Sequence, residues 1–257
     1  MDPFRPGRSG IINLDDSGIE ELTPLQERII NTYKSKNRFI DPVGLQNAIK
    51  DWKFPFIFLD FETINPAIPR YTDTKPYQQV PFQFSVHKID SLGSEITHRE
   101  YLHTDSTDPR PNLIPALLEA CGDAGSIIAY YSNFESARIR ELAEFSKEYE
   151  KDLSALLDRI VDPLPIIREN VYDNTFECSF KLKKVAPALL GEEHSYEGML
   201  VAYGGDAQRA FEEILSLDEK DERRQTLIQA SLDYCRKDTM VMVDLVKWLF
   251  EAANQKG

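Results

Sequence analysis

The sequence predicts a mixed α/β fold in which helices flank one β-sheet, and three observations support this prediction. Strand-like apolar runs come early, at residues 55–61 and 82–89, and a turn separates the second from another strand pattern at 97–103. A short buried strand pattern at 126–131 lies between two segments with helical spacing. The remaining sequence shows helical patterns and no other convincing strand, so we expect a single mixed sheet.

The first part of the chain differs from the rest. Residues 1–20 are polar and contain Pro, Gly and Ser, which predicts a flexible lead. Residues 24–37 and 41–52 each have a helix-capping residue at or next to their start, and their apolar residues show helical spacing. We therefore expect a short helical N-terminal appendage at residues 21–52, ahead of a main domain at residues 53–254.

The elements of the main domain follow one another along the chain. After the first strand, a proline-rich loop at 65–81 leads into the second strand. A helix is expected at 112–121, and an amphipathic helix at 133–149 follows the short strand. Further helical patterns lie at 151–160, 180–190, 195–214 and 219–254.

Composition limits the possible functions. The chain has 257 residues, 42% of them hydrophobic, which is enough for one sizeable core. A net charge of −13 argues against binding nucleic acid through a broad basic surface. Because there is no apolar run of about 18 residues and no signal-peptide core, we expect a soluble, cytoplasmic protein without a membrane partner. The widely spaced cysteines predict no zinc site, and we expect them in the core: Cys121, Cys178 and Cys235.

Two acids stand at the end of the first predicted strand, in the segment FPFIFLDFETINPAIPR. Asp60 and Glu62 are two residues apart, so their side chains project from the same face of the strand. Burying two like charges without partners is unfavourable, or it keeps one of them protonated, and a divalent cation would remove that penalty. Taken alone, the pair fits a strand end at the solvent equally well.

Further acids make a metal site the better interpretation. Tyr234 and Asp238 are four residues apart in a strongly helical segment, and apolar residues continue their shared face, so that face should contact the core. Glu135 follows the short strand, where Ser132 or Asn133 can cap a helix and put Glu135 in its first turn. An acid in a first turn is ordinary by itself, but the joint pattern is more specific than any member.

Three segments together resemble a known superfamily. FLDFET, YYSNFE and YCRKD are similar to the three exonuclease motifs of the DnaQ-like DEDD superfamily of 3′–5′ exonucleases, in the subtype whose third motif is Tyr, three residues, Asp. A wider pattern, FLDFETINPAIPR…PYQQVPFQFSVH…YCRKDT, is similar to a prokaryotic family, domain of unknown function 2779, placed in that superfamily. The resemblance covers about residues 52–250 and implies a ribonuclease H-like fold for the main domain.

Carried over residue by residue, the resemblance assigns roles to the acids. It implies that Asp60, Glu62, Glu135 and Asp238 are catalytic metal ligands and that Tyr234 orients the attacking water. The implied cofactors are two Mg²⁺ or Mn²⁺ ions, which suit carboxylate oxygens. Glu135 stands where the superfamily normally has Asp, and its extra methylene moves the carboxylate. The implied substrates are single-stranded 3′ ends of nucleic acid, and the sequence does not distinguish DNA from RNA.

Other residues near these motifs are candidates for substrate contact. The loop after Glu62 must lie near the same acids and offers side chains to phosphates or bases, although a rigid connection between strands is an equal alternative. FKLKK, at residues 180–184, predicts a positive charge at a helix start, with a solvated face as its alternative. Asp162 resembles an acid that follows the second motif in related nucleases, which implies a supporting role. The substrate-binding candidates are Arg70, Lys75, Tyr77, Gln79, Lys181 and Lys183.

Three functions are compatible with these observations. The leading prediction is a metal-dependent 3′–5′ exonuclease acting on single-stranded DNA or RNA. One alternative is a catalytically weak or inactive ribonuclease H-like module that binds nucleic acid or a protein partner, because Glu135 no longer permits two metals. Another is a different two-metal hydrolase such as an endonuclease, since fold does not decide function. Mutually repelling acids in one place favour an enzyme over a binding module.

Overall fold

The computed structural model describes residues 22–255, so the predicted flexible lead at 1–20 lies outside the described residues. The described part is an α/β structure, as predicted. Its elements, in chain order, are α1 (Pro24–Ser35), β1 (Phe39–Ile40), α2 (Pro42–Ile49), β2 (Phe56–Ile64), β3 (Val80–Ile89), β4 (Ile96–Leu102), α3 (Arg110–Cys121), β5 (Ser126–Ile128), α4 (Asn133–Phe145), α5 (Glu150–Leu157), β6 (Ile160–Val161), α6 (Pro163–Asn170), β7 (Val171–Tyr172), α7 (Leu182–Leu190), α8 (Gly204–Ser216) and α9 (Glu222–Ala253).

The main sheet within the described residues has five strands in the order β4-β3-β2-β5-β6. Strands β2, β3 and β4 are antiparallel neighbours, whereas β5 and β6 run parallel to β2, so the sheet is mixed. β2 is the central strand, and its pairing with β5 ends at Phe58, which lies opposite Ile128. The last part of β2 is therefore open on that side, which leaves room for helices to approach it.

Alternation along β2 determines which helices its side chains meet. Ile57, Leu59 and Phe61 pack with α3, α4 and α5 on one face of the sheet. Phe56 and Phe58 pack against α9 on the other face. Because strand side chains alternate, the positions that continue the α9 face beyond Phe58 are occupied by acids, at 60 and 62.

Helix α9 is the element that faces these acids. Asp221 caps its N-terminus by accepting a hydrogen bond from the backbone N–H of Arg223. It runs from Glu222 to Ala253, and one side of it is buried against the sheet. Its other side carries charged residues.

No helix in the described range 22–255 has the length and apolar character to cross a membrane.

Three strands, β1, β6 and β7, were not predicted from the sequence. β6 pairs with β5 in the main sheet, and β7 pairs with β1 in a separate two-stranded sheet. The expectation of no further strand was therefore wrong. Each of these strands has only two residues, which is too short to show a period of two.

Several element boundaries also differ from the prediction. The predicted strand at 126–131 ends at Ile128, and it cannot extend to Tyr131 because that residue has a left-handed backbone with φ 65°. The predicted helix at 133–149 ends at Phe145, where Ser146 becomes extended. Of the predicted helix at 195–214, only the part from Gly204 onward is helical, in α8.

The predicted helical appendage is present but does not stand apart from the main domain. Helices α1 and α2 share a hydrophobic cluster with the last turns of α9, in which Ile29 and Leu45 pack with Leu245 and Leu249. The pairing of β1 with β7 also joins the N-terminal segment to the main domain. The N-terminal helices therefore cover one end of the helix that faces the acids of β2.

Candidate functional site

The central strand brings two carboxylates to the face covered by α9. Asp60 pairs with Ser85 of β3, and Glu62 pairs with Gln83, just before a register shift between Glu62 and Thr63. Both acids lie beyond the point where β5 stops pairing with β2. They therefore lie on the part of β2 that contacts α8 and α9 and that no longer pairs with β5.

Asp238 of α9 meets these two acids. One carboxylate oxygen from each of Asp60, Glu62 and Asp238 lies within 4.8 Å of the other two. Glu62 and Asp238 are buried, and Asp60 is half-buried. The structure thus brings together three of the four predicted acids, from two elements that are far apart in sequence.

The fourth acid, Glu135, adjoins this group without being part of its tight cluster. Glu135 lies in the first turn of α4, as predicted, and is buried. Its carboxylate interacts electrostatically with Asp60, Glu62 and Asp238. Its Oε2 atom has no hydrogen-bond partner among the described residues. A buried carboxylate oxygen without a donor is unfavourable unless a cation or water approaches it.

The turn before α4 is held by an acid from another element. Ser132 occupies the N-cap position of α4 but makes no side-chain cap, so the predicted capping hydrogen bond is absent. Instead, Asp162 accepts hydrogen bonds from the backbone N–H groups of Tyr131 and Ser132, at 3.0 and 2.8 Å. It also accepts one from Leu164 at the start of α6. Asp162 therefore positions the turn that presents Glu135.

Tyr234 lies one helical turn before Asp238 and is buried. Its hydroxyl accepts a hydrogen bond from Nζ of Lys183, at 2.7 Å. A second buried tyrosine, Tyr196, packs edge-on against Tyr234 with ring centroids 6.2 Å apart. The hydroxyl of Tyr196 makes no hydrogen bond within the described residues and interacts with Asp238. Sequence reasoning missed Tyr196, because it lies in a segment without helical or strand structure.

Burial and mutual repulsion raise the pKa values of these acids. Burial, followed by repulsion from Asp238, raises the pKa of Glu62 to about 8. Burial also raises the pKa of Glu135 to about 8. The pKa of Asp60 lies well above its usual range for the same reasons. Burial raises the pKa of Asp238, and the nearby Lys183 ammonium opposes that shift.

A cysteine also contacts the cluster. The buried thiol of Cys235 lies 3.5 Å from Oδ2 of Asp60, where it donates a weak hydrogen bond. Cys235 and Cys121 are buried, as expected for core residues, but Cys178 is exposed, so the core prediction was wrong for Cys178. Cys235 stands directly after Tyr234 and three residues before Asp238, a spacing that could have identified it as a neighbour of the site.

The predicted substrate-binding residues of the loop differ in exposure. Arg70, Lys75 and Tyr77 are exposed in the loop that follows β2. Gln79 is half-buried, and its side chain accepts a hydrogen bond from the Thr63 hydroxyl. Within the described residues, no hydrogen bond or ion pair joins these four side chains to the carboxylate cluster.

The two predicted lysines of α7 differ in environment. Lys181 is exposed at the N-cap position, which agrees with the predicted helix start. Lys183 is half-buried and extends toward the carboxylates. One lysine is therefore available at the surface, and the other is part of the site.

The carboxylate cluster is chemically suited to a hard divalent cation. Its three converging oxygens are the donors that Mg²⁺ and Mn²⁺ prefer, and no cysteine or histidine forms part of the group. A cation there would relieve the repulsion that raises the pKa values of these acids. The unpartnered Oε2 atom of Glu135 supplies another buried oxygen nearby.

Comparisons with known proteins lead to a family of unknown function. Residues 57–181 match the family model described as domain of unknown function DUF2779. The "Uncharacterized protein MG366 homolog" of Mycoplasma pneumoniae is 22% identical over 205 residues, covering 73% of this chain and 31% of that protein. The "Uncharacterized protein UU173" of Ureaplasma parvum is 24% identical over 276 residues, covering 96% of this chain and 39% of that protein.

These matches define how far the likeness extends. The chain spans well under half the length of either relative. No solved structure matches it significantly. The predicted resemblance to DUF2779 is confirmed over residues 57–181, which include Asp60, Glu62 and Glu135, and the match ends before YCRKDT, the last segment of the predicted pattern.

Proposed function

We propose that this chain is a metal-dependent 3′–5′ exonuclease that hydrolyses phosphodiester bonds of single-stranded DNA or RNA. The observation that carries the proposal is the approach of Asp60, Glu62 and Asp238, whose carboxylate oxygens lie within 4.8 Å of one another. A binding scaffold has no physical need for three adjacent acids, because their burial and repulsion are unfavourable. The order of antiparallel and parallel strands in the sheet supports a ribonuclease H-like fold for the main domain.

Asp60, Glu62 and Asp238 would hold one divalent ion, and Glu135 would contribute to a second. Bound Mg²⁺ or Mn²⁺ supplies a nucleophilic water at neutral pH and neutralises charge on the phosphate. The protein's own part is to keep these oxygens close together and partly shielded from solvent. Burial opposes the charged form of these acids. A bound cation would favour that form, because each carboxylate must be deprotonated to bind a metal ion.

The remaining residues would position the substrate. Tyr234 is buried beside Asp238 and would orient the attacking water through its hydroxyl. Arg70, Lys75 and Tyr77, which are exposed after β2, would contact phosphates or bases of a single strand. A site that binds phosphates through metal ions and a few basic side chains suits a chain whose net charge of −13 does not favour a broad basic surface.

Digestion of a single strand tests this function. A single-stranded DNA and an RNA of the same sequence, each labelled at the 5′ end, are incubated with Mn²⁺ or Mg²⁺ and with wild-type protein or Asp238→Asn. Asp233→Asn is the matched control, because Asp233 is on the same helix but exposed. We expect a ladder that shortens from the 3′ end with wild type and Asp233→Asn, and none with Asp238→Asn or with a chelator.

The other outcomes separate the alternatives. Internal cuts in a circular single strand would indicate an endonuclease. If neither strand is cut while every variant remains folded, the chain is better described as a binding module, and the position of Glu135 is the first feature to re-examine.

A further inference from the structure

The Lys183 side chain lies among three tyrosine rings at the edge of the carboxylate cluster. Its Nζ atom is 4.4 Å from the ring centroid of Tyr234, 4.6 Å from that of Tyr196 and 4.9 Å from that of Tyr203. Each distance is within the range of a cation–π interaction. Nζ also donates to the carbonyl oxygen of Ala202. The ammonium is thus held from several sides, unlike that of a solvated surface lysine.

The remaining contact of this ammonium determines how Tyr234 can hydrogen-bond. Nζ of Lys183 lies 2.7 Å from the Tyr234 hydroxyl oxygen. A lysine ammonium has three N–H donors and no acceptor, so the tyrosine oxygen must accept this hydrogen bond. The O–H of Tyr234 is then left to donate. The Asp238 carboxylate lies one helical turn further along α9 and interacts with that hydroxyl.

Neighbouring lysines show that this arrangement is specific to one position. Lys181 and Lys184 are exposed, and Lys184 pairs with Glu177 at 2.6 Å, on the surface. Lys183 instead interacts electrostatically with Asp238, Glu62 and Asp60. Lys183 is therefore held inside the site. A lysine that only contacts substrate at the surface would not need such an environment.

We propose that Lys183 is a positioning residue that fixes the direction of the Tyr234 hydroxyl. By donating to the tyrosine oxygen, Lys183 makes Tyr234 a hydrogen-bond donor toward the carboxylate cluster. This inference rests on the proposed nuclease function, because it specifies how Tyr234 orients the oxygen of the attacking water. In this arrangement Tyr234 orients that oxygen and does not accept its proton.

Kinetics of a double-mutant cycle test the proposal in the nuclease assay. The variants are Lys183→Met, Tyr234→Phe and both together, with Lys184→Met as the matched control and Lys183→Arg as the conservative variant. We expect Lys183→Met to lower kcat about 10- to 100-fold with little change in KM, because it misorients a group at the reacting atoms. The double variant should be no slower than Tyr234→Phe, and Lys183→Arg should recover part of the loss.

Two kinetic results would overturn the proposal. If Lys183→Met raises KM and leaves kcat unchanged, the lysine binds substrate directly. If the effects of the two single variants multiply in the double variant, Lys183 does not act through Tyr234.

A spectroscopic measurement keeps this test independent of nuclease activity. Tyrosine labelled with ¹³C at Cζ is incorporated into the metal-free protein, and the Tyr234 resonance is assigned by its loss in Tyr234→Phe. Lys183→Met should shift that resonance, because the hydroxyl loses its donor, whereas Lys184→Met should not. An unchanged Tyr234 resonance in folded Lys183→Met contradicts the positioning role. A shifted resonance without any nuclease activity would instead contradict the proposed function alone.

Discussion

At the scale of single residues, the main question is why a buried strand ends in two acids. Phe56 and Phe58 pack against α9, and the next two positions on the same face are Asp60 and Glu62. Asp238 approaches them from that helix, so repulsion adds to the penalty of burial. The protein without metal is therefore less stable than it would be with a neutral side chain at one of these positions.

Asp238→Asn should have opposite effects with and without metal. In the presence of a chelator, the free energy of unfolding of the variant should be about 1 kcal/mol higher than that of wild type, because one repelling charge is removed. Mn²⁺ at about 100 times its Kd should add about 2.7 kcal/mol to wild type and much less to the variant. Urea denaturation under both conditions measures the two effects.

Asp233→Asn serves as the control for this prediction, since Asp233 is exposed on the same helix. It should respond to Mn²⁺ as wild type does. The metal-site interpretation fails if Mn²⁺ stabilises Asp238→Asn as much as wild type.

A buried histidine should make the protein sensitive to acid. The His87 Nδ1 atom lies 2.7 Å from the Thr239 hydroxyl, and its ring lies beside that of His98. Burial, then the charges of His98 and Arg236, lowers the pKa of His87 to about 4. Between a pH of about 6.5 and about 4, the unfolded chain binds a proton at this histidine and the folded protein does not. The free energy of unfolding therefore falls as the pH is lowered.

Wild type should lose stability between pH 6.5 and 4, and we expect this loss to be smaller in His87→Gln by up to about 3 kcal/mol. Chemical denaturation at several pH values in this window measures the effect. Equal acid sensitivity in His87→Gln and wild type would show that His87 is not the group responsible.

At the scale of elements, the sequence predicted those whose pattern is long enough to read. The strands β2, β3 and β4 and the helices α1, α2, α3 and α9 appear close to their predicted ranges. The two-residue strands β1, β6 and β7 were missed because no period can be read from them. The left-handed turn at Tyr131 depends on tertiary contacts, because the backbone N–H groups of Tyr131 and Ser132 donate hydrogen bonds to the Asp162 carboxylate.

The junction of β2 and β5 depends on a glycine. Gly125 has φ +84°, and a Cβ atom there would lie 1.9 Å from the backbone oxygen of Pro55. Gly93 has a similar φ of +87°, with nothing within 4 Å of its Cβ position. The two positions therefore share the same backbone strain on substitution and differ only in the clash.

Gly125→Ala should be less stable than Gly93→Ala by about 1–3 kcal/mol, because only Gly125→Ala forces the start of β2 to move. Thermal and urea unfolding of both variants measure the difference. Equal losses in the two would indicate that backbone conformation, rather than the close approach to Pro55, makes Gly125 necessary.

At the scale of the whole molecule, the N-terminal helices belong to the same folded unit as the site. Leu45 of α2 is fully buried in the cluster that contains Leu245 and Leu249 of α9. Asp238 lies earlier on that same helix. Packing at the N-terminal end of the described residues therefore supports the element that completes the acidic cluster.

Leu45→Ala should cost about 2–5 kcal/mol of unfolding free energy, as for other large-to-small substitutions in a core. Val43→Ala is the matched control, because Val43 lies on the same helix and is exposed. Its effect should stay within about 0.5 kcal/mol. Equal, small effects of both substitutions would show that the N-terminal helices contribute little to the stability of the main domain.

The acids of the site could be predicted from the sequence, but their surroundings could not. Asp60, Glu62 and Asp238 stand in short motifs with regular spacing, which places each on a known face of a strand or helix. The position of Lys183 depends on packing between α7 and three tyrosines. Tyr196 and Tyr203 come from a segment that was expected to be helical and is not.

The most direct test of the metal centre is Mn²⁺ binding, followed by electron paramagnetic resonance of the free ion at neutral pH. Wild type and Asp233→Asn should bind Mn²⁺ saturably and release it to excess Mg²⁺. Asp60→Asn and Asp238→Asn should bind at least about 10-fold more weakly, because each loses a charged oxygen ligand. No saturable binding to wild type, or equal binding by all four proteins, would contradict the assignment of Asp60, Glu62 and Asp238 as a metal centre.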